Sequence, residues 1–213
     1  MEIFQQLLDF ILNIDIHLYE LVENYGFYIY LILFLILFAE TGLVIMPFLP
    51  GDSLLFAAGA LAAGGNMDVL LLILVCIAGA ILGNLVNYYI GYWIGPKAFE
   101  LKSRFLKKEY LLKTQQFYDK HGGKALIIGR YLPFIRTFVP FVAGIGHMNA
   151  AKFSLYNILG AFLWVVPIIL LGFLFGNIPF IKDHFSLIIL AILAISILPL
   201  IFGIVGIRKW NKN

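Results

Sequence analysis

Long apolar runs fill most of the chain, and the few polar positions that interrupt them divide it into segments. About 20 apolar residues in a helix span a bilayer. Four segments are read as such spans: 25–38 extending to Glu40, 69–94, 153–175 and 185–207. Residues 3–23 show a different period. Phe4, Leu7, Leu8, Ile11 and Leu12 recur at helical spacing, with Asp9, Asp15, Glu20 and Glu23 between them. That pattern predicts an amphipathic helix over 1–24 lying in the membrane interface.

Two further apolar segments fit poorly as full spans. Segment 41–66 contains Pro47, Pro50 and Gly51, with Asp52-Ser53 placed as a helix N-cap. Segment 125–150 contains Pro133 and Pro140, with Arg130 and Arg136 around the first of them. Irregular backbone at membrane depth survives only when buried in protein or lining a wet cavity. Each segment is therefore read as a re-entrant hairpin of two half-helices.

The distribution of charge orients these elements. No Lys or Arg precedes Lys97, whereas 96–124 carries Lys97, Lys102, Arg104, Lys107, Lys108, Lys113, Lys120 and Lys124. By the positive-inside rule this basic segment and the tail Arg208-Lys209-Trp210-Asn211-Lys212 lie in the cytoplasm. The two hairpins, each followed by a span, then enter from opposite sides. Such an inverted repeat is a transporter architecture, with its site between broken helices near the midplane. A faint internal match supports it: Pro47-Phe48-Leu49 and Ala58-Gly59 against Pro133-Phe134-Ile135 and Ala143-Gly144. The fold expected is all-α and integral to the membrane: about four transmembrane helices, two opposed re-entrant hairpins and an N-terminal amphipathic helix in one domain, 1–213.

Composition narrows the chemistry. Of 213 residues 62% are hydrophobic and 13% charged, about half the charge of a soluble domain. The opening Met1-Glu2-Ile3-Phe4-Gln5 lacks a basic n-region, so no cleaved signal is expected. Cys76 stands alone and is read as a small buried hydrophobe. The basic segment is assigned to membrane topology, not nucleic acid. No Ser/His nucleophile site, GxSxG turn or metal-ligand spacing is present, so neither enzyme activity, metal nor cofactor is expected.

Ionisable groups inside a membrane mark substrate or ion pathways. Arg130 and Arg136 suit a lipid phosphate, because guanidinium stays charged and matches phosphate oxygens bidentately. Glu40 and Asp52 can neutralise the empty arginines or carry protons. Asn84 and Asn87 share one face of the second span and are candidates to line the cavity. His147 is a candidate relay, with a structural histidine as the alternative. Buried salt bridges locking the hairpins are the alternative for the four charged residues, and Asp52 has a cap-only alternative. Trp93, Trp164 and Trp210 are read as interfacial or packing aromatics. The GxxxG matches Gly79–Gly83 and Gly91–Gly95 allow close helix packing.

Taken together, these motifs resemble the DedA family of bacterial membrane proteins, within the wider VTT (SNARE-associated) superfamily. The resemblance rests on Glu40-Thr41-Gly42, on Phe48-Leu49-Pro50-Gly51-Asp52-Ser53-Leu54-Leu55 and on Gly59-Ala60-Leu61. It continues through His121-Gly122-Gly123-Lys124, Gly129-Arg130, Arg136-Thr137, Pro140-Phe141-Val142-Ala143-Gly144, Gly146-His147-Met148 and Tyr156-Asn157. It implies two opposed hairpins and lipid movement across the cytoplasmic membrane. The implied substrates are undecaprenyl phosphate or phosphatidylethanolamine, with proton- or sodium-motive-force coupling, and the implied functional set is Glu40, Asp52, Arg130 and Arg136. Many relatives carry Gly-Asp and Gly-Arg where this chain has Gly83-Asn84 and Gly91-Tyr92. A neutral pair in place of an ion pair is expected there, which weakens any proton role carried over to that position. The expected function is a flippase or scramblase-like translocase of a phosphate-bearing lipid. A glycerophospholipid translocase and a proton-coupled antiporter are the alternatives, and a homo-oligomer is left open.

Overall fold

The computed structural model describes residues 26–43, 51–95, 108–132 and 135–176, with isolated positions beyond. The interfacial helix over 1–24, the last span over 185–207 and the proline breaks Pro47, Pro50 and Pro133 lie outside the described residues. All regular structure among the described residues is helical. In chain order it comprises α1 (Tyr28–Gly42), α2 (Gly51–Ala63), α3 (Val69–Ile94) and α4 (Lys108–His121), then α5 (Ala125–Ile128), α6 (Ile135–Ile145) and α7 (Ala150–Phe175). Short 3-10 turns at Gly122–Lys124 and Gly129–Tyr131 flank α5.

Two of these helices, α3 and α7, are 26 residues each and apolar enough to cross a membrane. At 1.5 Å per residue each is about 39 Å long, more than a hydrocarbon core requires. The second predicted span coincides with α3, and the third begins three residues early, at Ala150. Helix α1 runs through Glu40 to Gly42, so the residues assigned to the start of the first hairpin belong to the preceding helix. Gly51 opens α2, as a break there predicts. Asp52 then falls inside the first turn and not at the N-cap, where its carboxylate complements the helix macrodipole.

Pro140 does not break the second segment. It lies inside α6, buried with its neighbours, and the helix continues to Ile145. A mid-helix proline removes one backbone bond and crowds the carbonyl four residues back. Membrane helices tolerate this where neighbouring elements compensate.

The chain divides into two compact units. One takes in Met1–Leu33, Pro50–Val75 and Val166–Asn213; the other takes in Phe34–Leu49 and Cys76–Val165. In the first, α2 lies against the end of α7 through a reciprocal glycine contact. A Cβ on Gly59 would sit 2.2 Å from the Ile169 carbonyl oxygen, and one on Gly172 would sit 2.1 Å from that of Phe56. Asp68 caps α3 there, its Oδ1 accepting from the Leu71 N–H at 2.7 Å. Its own N–H donates to the Tyr30 hydroxyl at 2.7 Å.

In the second unit α6 meets the later part of α3 in the same way. A Cβ on Gly144 would lie 2.0 Å from the Tyr88 carbonyl oxygen, and one on Gly91 would lie 2.1 Å from that of Phe141. Phe56 and Gly59 thus occupy in α2 the places that Phe141 and Gly144 occupy in α6. The weak repeat of Ala58-Gly59 in Ala143-Gly144 marks the same joint twice, and the short helix of each predicted repeat packs on the long helix of the other. Helix association in lipid rests on close van der Waals packing, which only small residues at the crossing allow. Phe138, Phe141, Val142 and Ile145 fill the space beside the joint, packed against Ile90 and Ile94.

Candidate functional site

The second unit buries an unusual amount of polar chemistry for an apolar chain. Glu40, near the end of α1, is fully buried, and Arg136 in the first turn of α6 is 8% exposed. Arg136 Nη2 donates to Glu40 Oε1, closing an ion pair between residues 96 positions apart. Beside it, Thr41 Oγ1 donates to the Leu37 carbonyl oxygen of its own helix at 2.8 Å.

Arg130 approaches from the 3-10 turn after α5. Its Nη2 donates to Asn157 Oδ1 at 2.7 Å and to the Asn157 carbonyl oxygen at 3.3 Å. Asn84 Nδ2 donates to the same Oδ1 at 3.0 Å, and Asn157 Nδ2 donates to the Ile81 carbonyl oxygen at 3.0 Å. Both guanidiniums lie over one indole: the Cζ atoms of Arg130 and Arg136 are 5.8 and 5.7 Å from the Trp164 ring centroid. A π-face attracts a cation at this range, and most strongly where water is excluded. A small cavity of about 10 Å³ opens among Thr41, Asn84, Arg130, Arg136 and Trp164.

Asn87, one turn on from Asn84, acts on the walls. Its Nδ2 donates to the carbonyl oxygens of Thr41 at 3.0 Å and Thr137 at 2.8 Å. Those residues immediately follow Glu40 and Arg136, so one amide ties together the two backbones that carry the ion pair. Two carbonyl partners fix which end of the amide is nitrogen. Asn87 Oδ1 is buried without a hydrogen-bond partner among the described residues.

The residues singled out from the sequence separate accordingly. Glu40, Arg130, Arg136 and Asn84 come together around the cavity, with Asn87 tying its walls. Asp52 belongs to the other unit, half-buried in α2. His147 does not line the cavity. It closes α6 in the left-handed conformation, with φ 49°. Its N–H donates to the Gly144 carbonyl oxygen at 2.9 Å, and that of Met148 reaches Ala143 at 3.0 Å, the paired bonds of a Schellman C-cap. The His147 ring stands edge-on to Tyr92, with centroids 4.4 Å apart. Asn84 and Tyr92 do not pair with each other. Eight residues along one helix separate them by about 12 Å, and Asn84 is engaged by Asn157.

Two residues central to the site carried no functional reading in the sequence. Asn157 was one motif position among many, and Trp164 was read as a packing aromatic. Their spacing held a usable signal: positions seven apart share a helix face, with Gly160 between them on the same stripe of α7.

Comparison with known proteins places this geometry in a family. A VTT-domain model matches residues 49–174. The chain is 50% identical over 215 residues to Protein DedA of Escherichia coli K12, covering all of this chain and 97% of that one. It is 40% identical over 180 residues to a membrane protein of Mycobacterium leprae, covering 84% and 81% of the two chains. To the inner membrane protein YqjA of Escherichia coli K12 it is 35% identical over 188 residues, covering 87% and 86%. No solved structure matches the chain.

Proposed function

We propose that this chain, which belongs to the DedA family of VTT-domain membrane proteins, is a lipid translocase whose cargo carries a phosphate. The observation that carries this reading is the pair of buried guanidiniums converging on one small cavity. Two arginines line the cavity, and Glu40 is paired with one of them, Arg136. A buried net charge is costly, and a phosphate head group entering the cavity offsets it with charge-assisted bidentate bonds. The cavity holds about 10 Å³, roughly one water, so its walls must part for a head group, whose chains stay in the surrounding lipid. Undecaprenyl phosphate is the cargo we favour, with a glycerophospholipid such as phosphatidylethanolamine as the alternative.

We place the protein in the bacterial cytoplasmic membrane, as the name of the relative YqjA states for that protein. The basic segment 96–124 and the C-terminus face the cytoplasm, and 41–66 and 125–150 form opposed re-entrant hairpins. The reciprocal glycine joints support an inverted repeat, and α2 and α6, of 13 and 11 residues, are too short to span. Transport, not catalysis, is the proposed activity, with proton or sodium motive force as the drive. A proton-coupled antiporter is the second reading. The fully buried Glu40 favours it, because ionisable groups inside a membrane mark ion pathways.

Purified protein in liposomes, supplied with labelled undecaprenyl phosphate or labelled glycerophospholipid, tests this with and without a proton gradient. Movement of the labelled lipid is the expected result, and the lipid that moves identifies the cargo. Proton flux with no lipid movement selects the antiporter, and release of inorganic phosphate selects an enzyme.

A further inference from the structure

Two arginines face the cavity, yet they are held in different ways. Arg136 is paired with a carboxylate, whereas no described carboxylate lies within ion-pair distance of Arg130, which is 4% exposed. Among the described residues, Arg130's hydrogen bonds all go to Asn157, through the amide oxygen and the backbone carbonyl. Asn157 is itself 1% exposed.

We propose that Asn157 is a positioning residue that fixes Arg130 through a neutral acceptor, leaving its charge for the anion. This rests on the reading of the cavity as a phosphate site. Three observations carry it. First, the Asn157 amide has one workable orientation. Its oxygen receives Arg130 and Asn84, and its nitrogen donates to the Ile81 carbonyl oxygen. Reversed, it would set N–H groups against N–H groups and oxygen against oxygen. Second, α7 makes room for this arginine at Gly160, one turn beyond Asn157, where a Cβ would lie 3.0 Å from Arg130 Nε.

Third, the neutral tether is the weaker choice. Arginine and carboxylate form bidentate pairs that add both geometric specificity and strength, so a purely structural anchor for a buried arginine is better made from a carboxylate. The amide gives up that strength and keeps the guanidinium uncompensated. Asn84, which lines the cavity, binds the same oxygen and stiffens the anchor without adding charge.

The test measures saturable binding of radiolabelled dodecyl phosphate to the purified full-length protein in detergent. Wild type, Asn157→Asp and Asn157→Ala are compared, each with its melting temperature. Aspartate keeps an acceptor for Arg130 but supplies a carboxylate to pair with its charge. Expected are binding by the wild type, a loss of at least about tenfold in N157D, and a smaller loss in N157A. An N157D protein that binds as tightly as wild type, or more tightly than N157A, shows that tethering alone matters and overturns the proposal. Should N157D not fold, Asn157→Ser takes its place: serine binding more tightly than alanine supports a neutral acceptor, and equality of the two overturns it. No saturable binding by the wild type refutes the phosphate reading itself, and this inference with it.

Discussion

Replacing Gly144 by alanine probes how the helix joint supports the site. The added Cβ would stand 2.0 Å from the Tyr88 carbonyl oxygen and 2.7 Å from the Tyr92 nitrogen, both backbone atoms of α3. Carbon and carbonyl oxygen approach no closer than about 3.3 Å. Helix α6 must therefore retreat from α3 by about 1.3 Å, since neither backbone can turn aside as a side chain would. The Asn87 bond to the Thr137 carbonyl oxygen, 2.8 Å long, crosses the same gap and stretches beyond useful length. Overpacking of this kind costs about 1–3 kcal/mol and the lost hydrogen bond about 1 kcal/mol more. For a chain of this size the sum lowers the melting temperature by roughly 5–15 °C. Gly146→Ala is the internal control, because its Cβ meets nothing nearer than the Val142 carbonyl oxygen at 3.5 Å. Thermal unfolding of the purified variants in detergent decides the matter. Equal melting temperatures for G144A and G146A would refute the close joint, and with it the packing basis of the repeat.

Other perturbations reach the site directly. Arg136→Lys keeps the charge but loses the planar fork, so it should slow lipid flipping at least about tenfold while shifting the melting temperature little; wild-type flipping in liposomes would sink the phosphate clamp. Asn87→Ala removes the tie to both Thr41 and Thr137 and should cost about 1–3 kcal/mol, with weaker dodecyl phosphate binding although Asn87 is not among the cavity-lining residues. An unchanged binding curve there would separate the tie from the site. His147→Gly relieves a left-handed residue that costs roughly 1–2 kcal/mol. It should leave the melting temperature unchanged or raised, and lipid flipping intact; a flipping defect would restore His147 to the relay role.

Much of this was legible in the chain because it depends on short stretches of it. The length of an apolar run decides whether a helix crosses a membrane, and α3 falls where its hydrophobic run predicts. Charges inside apolar segments are expensive wherever they end up, so Glu40, Arg130 and Arg136 stood out without knowledge of their neighbours. Even the repeat left a trace, in Ala58-Gly59 and Ala143-Gly144. Pro140 shows the limit of local reading. A proline predicts a break by its own geometry, whereas its packing environment determines whether the helix survives.

What only the tertiary structure decided is which group meets which. Glu40 stood out as an acid in apolar surroundings, yet nothing near it in the chain pointed to Arg136, its partner across 96 positions. Asn157 reaches Arg130 across 27 positions and Asn84 across 73, and Trp164 turns out to lie under two cations. The sequence by itself determined that this chain is a membrane protein, where its two long apolar helices run and which charges stand in apolar surroundings. Hydrogen bonds and ion pairs act over about 3 Å, so their partners were settled only when packing brought distant segments together.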